Sequence, residues 1–123
     1  MNNSFTPLVS FSKGQQNLLP QQTKMETLNQ LIQSTTPVLV DFYATWCGPC
    51  KAMAPILEAT KAKVGDAVRI VKIDVDRHRE LSAQQRIQAV PTLVLFKQGQ
   101  ELWRHAGVLT ADELEKKLKE IGQ

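Results

Sequence analysis

Apolar residues change their period several times along this chain, and each change marks an element. After Pro37 the run Val38-Leu39-Val40-Asp41-Phe42-Tyr43 is almost continuously apolar, as expected of a strand covered on both faces. From Pro49, residues Met53, Ile56, Leu57 and Val64 recur at helical spacing, and Pro55 inside that pattern is expected to kink the helix. Gly65 and Asp66 end it, and Val68 to Val75 carries the β-branched content of a second strand, which completes a βαβ unit. Glu80 to Ile87 is a short helix candidate, and Thr92-Leu93-Val94-Leu95-Phe96 is a third strand. Lys97-Gln98-Gly99-Gln100 supplies turn residues, so Glu101 to Ala106 is expected to return as an antiparallel strand. Thr110 and Glu113 stand at capping-box spacing before a last helix whose apolar stripe is Leu114, Leu118 and Ile121.

The N-terminal side is less regular. Residues 1–22 are rich in Asn, Gln, Ser and Thr and are read as an N-terminal extension, with Leu8, Val9 and Phe11 as a short edge strand. Thr23 and Glu26 form another capping-box spacing ahead of Leu28, Leu31 and Ile32, so a first helix is expected near 24–34 and the domain is set at 23–123.

At 123 residues the chain holds one domain, large enough for a core without staples. Its Lys+Arg count of 15 against Asp+Glu 12 leaves a net charge of +3, spread rather than blocked, which argues against nucleic acid or a membrane surface as partner. No apolar run reaches the length of a spanning helix. The first positive side chain is Lys13, and Met1 to Leu19 lacks the charged start and continuous apolar segment of an export signal, so the default address is the cytoplasm. A mature exported form restarted at a new Met reads the same way, which keeps a periplasmic address open.

Both cysteines of the chain, Cys47 and Cys50, fall in Trp46-Cys47-Gly48-Pro49-Cys50-Lys51, at the junction of the first apolar strand and the helix that follows. Two intervening residues let the sulfurs meet across one helical turn and close a disulfide. The unpaired N–H groups of the first helical turn favour a thiolate there. The rival readings are an inert disulfide and half of a zinc site. Zinc needs two more ligands, and beyond carboxylates only His78 and His105 are available, neither at the usual short spacing.

The element order β, α, β, α, β, β, α around this motif strongly resembles the thioredoxin family. The resemblance runs from Pro37 to about Leu118, through Val40-Asp41-Phe42, Pro55, Lys72-Ile73-Asp74-Val75, Val90-Pro91-Thr92, Phe96-Lys97-Gln98-Gly99 and Gly107. Residues 1–22 match it poorly, since no strong first strand is evident. It implies an α/β thioredoxin fold, a central mixed sheet flanked by helices, and a general protein-disulfide reductase. Such a protein is expected to be a monomer that binds no cofactor or metal beyond its redox-active disulfide, is recharged by a thioredoxin reductase or equivalent donor, and acts on disulfide-containing target proteins.

The same resemblance assigns roles. Cys47, the more exposed sulfur, attacks as a thiolate and Cys50 resolves the mixed disulfide. Asp41, a carboxylate within an apolar strand, lies behind the pair and accepts the proton of Cys50, with a pKa raised towards neutrality; the bland alternative is a solvated acid at the strand's end. Lys72 tunes Asp41 from the adjacent strand, or is an ordinary solvated lysine. Gly48 and Pro49 set the redox poise on the reducing side. Pro91 is expected to be cis, which frees the backbone at Val90 to pair with an extended target segment. Trp46, Gly107 and Val108 complete a shallow apolar surface around Cys47, unless Trp46 merely fills the core.

Tyr43 stands where many members of the family have Trp, a departure expected to alter fluorescence more than chemistry. His78, His105, Arg77, Arg79 and Arg86 are read as solvated surface. Two alternatives remain open: an oxidase or isomerase of the same fold in an oxidising compartment, which Gly48-Pro49 argues against, and a partner-binding module with incidental thiols. In the second, replacing both Cys47 and Cys50 by Ser leaves the cellular role intact.

Overall fold

Strand β2, Val38–Tyr43, is buried along nearly its whole length, as its unbroken apolar sequence requires. A computed structural model of the chain describes residues 5–6 and 28–121. The expected strand at Leu8, Val9 and Phe11, the Thr23–Glu26 cap and most of the 1–22 extension lie outside the described residues. The elements in chain order are β1 (Phe5–Thr6), a helix α1 described over 28–32, β2, α2 (Gly48–Val64) with a 3-10 turn at Gly65–Ala67, and β3 (Arg69–Asp74). They continue with α3 (Arg79–Gln84), β4 (Thr92–Lys97), β5 (Gln100–Ala106) and α4 (Ala111–Ile121).

The strands form one mixed sheet in the order β1-β3-β2-β4-β5. β2 is parallel to β3 and antiparallel to β4, so the βαβ unit read from the sequence occupies the centre. Alternation along the strands sorts the core into two faces. Val38, Val40 and Phe42 join Val71, Ile73, Val94 and Phe96 on the face covered by α1 and Leu81 of α3. Leu39 joins Ile70, Leu93 and Leu95 on the other, under Met53 and Leu57 of α2 and Leu114 and Leu118 of α4. Because the period is two, Asp41 continues the row of Leu39, and Lys72 that of Ile70. Two polar side chains therefore stand on the face that α2 covers.

Local signals fix the ends of the elements. The capping box at α4 is made by both of its bonds, Glu113 N–H to Thr110 Oγ1 at 3.1 Å and Thr110 N–H to Glu113 Oε1 at 2.9 Å. Those bonds hold the Glu113 carboxyl below its usual range. The β4–β5 turn places Gln98 at φ 53° and Gly99 at φ 82°, the double positive φ of a type I′ hairpin. A Cβ at Gly99 would lie 2.8 Å from the Gln33 side chain, so glycine also makes room for a neighbour. α2 runs through Pro55 as a single helix to Val64.

α3 ends three residues earlier than its apolar pattern predicts. Arg86 N–H donates to Ala83 O and Ile87 N–H to Ser82 O, each at 3.0 Å, which is a Schellman close with Arg86 at φ 59°. Glycine usually fills that position, and a side chain with a Cβ is strained there. Arg86→Gly is expected to raise unfolding stability by about 0.5–1 kcal/mol, the relief of strain exceeding the added freedom of the unfolded chain. A urea-midpoint comparison checks it. An unchanged midpoint would mean that the attraction between Arg86 and Glu101 offsets the strain.

Candidate active site

The turn between β2 and α2 carries the thiol chemistry. Cys47 has extended backbone (φ −88°, ψ 115°) and caps α2: its sulfur accepts the Cys50 N–H at 3.1 Å. Gly48 and Pro49 fill the first helical turn, where proline's missing N–H has no intrahelical partner to lose. Cys47 and Cys50 are joined in a disulfide, with Cα atoms 5.2 Å apart. As whole residues both are buried, at 4% and 6% exposure. Ala44, Tyr43, Val75 and Val90 pack around the pair and cover it.

Three segments converge in front. The Val90–Pro91 peptide is cis, as expected, and Val90 O lies 3.6 Å from Cys47 Sγ. In the disulfide this is a contact; a proton on the reduced thiol makes it a hydrogen bond. Gly107 N–H donates to Pro91 O at 2.8 Å, which ties the end of β5 to the same loop, and its φ of 106° is open to glycine alone without strain. Val108 next to it is exposed. Trp46 is 70% exposed, which rules out the core-filling role. Its indole Nε1–H donates to Asp76 Oδ2 at 2.7 Å, and Asp76 N–H donates to Asp74 Oδ1 at 2.9 Å. Val90 thus borders the disulfide directly, with Pro91 next to it and Gly107 bonded to Pro91.

Asp41 is 1% exposed and is not a solvated strand end. Burial raises its pKa from 3.8 to about 6, and the charge of Lys72 pulls the other way. Asp41 Oδ1 finds no hydrogen-bond partner among the described residues. Lys72 is in register with Asp41 on β3, half-buried, and its ammonium lies 4.7 Å from the centroid of the Tyr43 ring. Burial, Asp74 and Asp41 push the Tyr43 phenol up.

Sequence reasoning missed Asp74 and Asp76. The signal was there in part, since Asp74 continues the strand alternation of Lys72 and falls at the sheet's C-terminal edge. It also misread His78, which is 5% exposed rather than solvated. His78 N–H bonds to Asp74 O at 3.0 Å and its carbonyl accepts Ser82 N–H at 2.9 Å, so it joins the Asp74 turn to the start of α3 and is folded inward. His105 is half-buried and stacks on Trp103 at 5.9 Å, while Arg77, Arg79 and Arg86 are exposed as read. Among the described residues no group of three or more His, Cys, Asp or Glu is gathered to hold a metal, and no helix is long and apolar enough to cross a membrane.

A sequence model described as thioredoxin matches residues 20–120. The chain belongs to the thioredoxin family. It is 52% identical over 89 residues to a thioredoxin-like protein of Synechocystis sp., covering 72% of this chain and 85% of that one. Chloroplastic thioredoxin Y of Oryza sativa is 43% identical over 97 residues, 76% of this chain and 58% of that protein, so this chain spans little more than half of that relative. Among solved structures, oxidised mitochondrial thioredoxin 3 of Saccharomyces cerevisiae superimposes with a TM-score of 0.71 at 38% identity, over 78% of this chain and 89% of that one. Thioredoxin NaTrxh of Nicotiana alata gives 0.71 at 41% identity, over 81% and 85%. As a thioredoxin the chain is a protein-disulfide oxidoreductase, exchanging dithiol and disulfide at Cys47 and Cys50, and its redox-active disulfide is the group that carries electrons.

Proposed function

We propose that this thioredoxin is a general protein-disulfide reductase of the cytoplasm, monomeric, recharged by a thioredoxin reductase or equivalent donor and discharging to target proteins. The observation that carries this reading is the helix cap: the Cys50 N–H at 3.1 Å from Cys47 Sγ, together with the open N–H groups of the first turn, stabilises negative charge on that sulfur. Cys47 attacks one sulfur of the target disulfide as a thiolate; the Cys47–target disulfide forms and the other target sulfur leaves as a thiolate. Cys50 then gives its proton to Asp41 and attacks Cys47 Sγ, closing Cys47–Cys50 and releasing the second target sulfur with both electrons. Lys72 tunes the acid. Gly48 and Pro49 stiffen the loop and favour the dithiol as donor. The target lies across Trp46, Gly107 and Val108, its extended backbone pairing with Val90 ahead of Pro91. Residues 1–22 are read as an N-terminal extension of the thioredoxin domain at 23–123, one that lends the edge strand Phe5–Thr6 to its sheet.

The reduction potential of the Cys47–Cys50 couple tests the direction of electron flow. It is expected to lie well below the range of about −180 to −120 mV that marks isomerases and strong oxidants, and the reduced protein is expected to reduce insulin catalytically with a thioredoxin reductase. A potential inside that range overturns the reductase reading.

A further inference from the structure

Tyr43 stands two residues beyond Asp41 on β2, so both side chains belong to the sheet face covered by α2. On the adjacent parallel strand Lys72 is in register with Asp41, and Asp74 with Tyr43. Four polar side chains thus form a square at one end of an otherwise apolar face. Within it, Lys72 acts on Asp41 through its charge alone, while its ammonium lies over the Tyr43 ring, 4.7 Å from the centroid. A lysine ammonium on a four-carbon stem is strongly hydrated, and at a half-buried site water competes for it. The electron-rich face of a tyrosine is a directional holder for such a cation.

We propose that Tyr43 is a positioning residue: its ring face holds the Lys72 ammonium beside the row that carries Asp41, and so sets how readily Asp41 takes up a proton. Without the ring, the ammonium turns to water and to Asp74, and Asp41 loses the charge that eases its ionisation. The other groups facing the carboxylate do not replace it. Asp74 on β3 is an acid, Cys47 at the cap of α2 and Cys50 within it are joined in the disulfide, Arg77 lies exposed beyond β3, and His105 of β5 is separated along the row by Leu93. Among the described residues Lys72 is the charge that acts on Asp41. Tyr43 then bears on chemistry as well as fluorescence. Its consequence for turnover rests on the reading of Asp41 as the acceptor of the Cys50 proton.

The experiment is a titration of the Asp41 carboxyl carbon by NMR in the oxidised protein, where neither cysteine ionises. Tyr43→Leu is expected to raise the midpoint by about 0.5 on the pH scale, roughly a threefold gain in proton affinity. Tyr43→Phe keeps the ring and is expected to leave the midpoint in place. In a Lys72→Met background Tyr43→Leu is expected to add nothing, since the pair acts as one unit. A midpoint that stays or falls in Tyr43→Leu, or that moves as far without Lys72 as with it, overturns the proposal. Tyr43→Met serves the same comparison should the Leu variant fail to fold. The titration needs no turnover. A shifted midpoint with an Asp41→Asn protein that still resolves mixed disulfides at full rate leaves the coupling standing and removes Asp41 as acceptor; a normal midpoint shift cannot be mistaken for either failure.

Discussion

Cys50→Ser is expected to leave a protein that attacks a target disulfide once and then stops. Cys47 keeps its capping position in this variant, because the hydrogen bond that stabilises its thiolate comes from the backbone N–H of residue 50, 3.1 Å away, and not from the Cys50 side chain. The first step therefore survives. Resolution does not, since it depends on a second sulfur held one helical turn off, with Cα atoms 5.2 Å apart, and a thiol from solution must replace that intramolecular attack. Catalytic reduction of insulin is expected to fall on the order of 10³-fold or more, while a covalent complex with the target accumulates and survives non-reducing electrophoresis. Cys47→Ser is expected to lose turnover equally and to trap nothing. Trapping by Cys47→Ser in place of Cys50→Ser would reverse the assigned roles and move the nucleophile into the helix.

The elements that sequence made legible are those whose cause is local. Continuous apolar character placed Val38–Tyr43 at the centre of the sheet, and the three-residue spacing of Thr110 and Glu113 placed the start of α4 through bonds that both form. The end of α3 was illegible because the Schellman close there uses Arg86, and no glycine marks it. His78 looked solvated because histidines among arginines usually are, whereas its backbone bonds to Asp74 and Ser82 pull it inward. The site divides the same way. Cys47, Cys50 and Asp41 stand out by residue type within one strand and turn. The partners Trp46 with Asp76 and Tyr43 with Lys72 depend on strand register across about thirty residues, which pattern alone leaves undetermined.

Asp41→Asn is expected to stabilise the protein and slow it, with the two effects sharing a pH window. Asp41 is buried with a pKa raised from 3.8 to about 6, burial being the larger cause and Lys72 opposing it. The folded protein therefore binds this proton more tightly than the unfolded chain does. The stability that follows from the protonated carboxyl is complete below about pH 4 and is lost as pH rises through about 6. Above that, folding carries a buried carboxylate whose Oδ1 has no hydrogen-bond partner among the described residues. At 1.36 kcal/mol per pH unit, that burial amounts to about 2–3 kcal/mol, and Asn, similar in shape to the protonated acid, removes it. Urea unfolding of the oxidised proteins is expected to show Asp41→Asn more stable than the parent by about 2–3 kcal/mol at pH 8, and equal to it near pH 4. An equal gain at both pH values would trace it to packing, and no gain at pH 8 would mean that the carboxylate is solvated. With Asp41 as the proposed acceptor of the Cys50 proton, the same substitution is expected to slow resolution at pH 7 by roughly 10²-fold, with recovery as rising pH ionises Cys50 without help. A rate independent of residue 41 at pH 7 would leave Asp41 a purely energetic burden on the fold, which is the outcome that separates its cost in stability from its use in proton transfer.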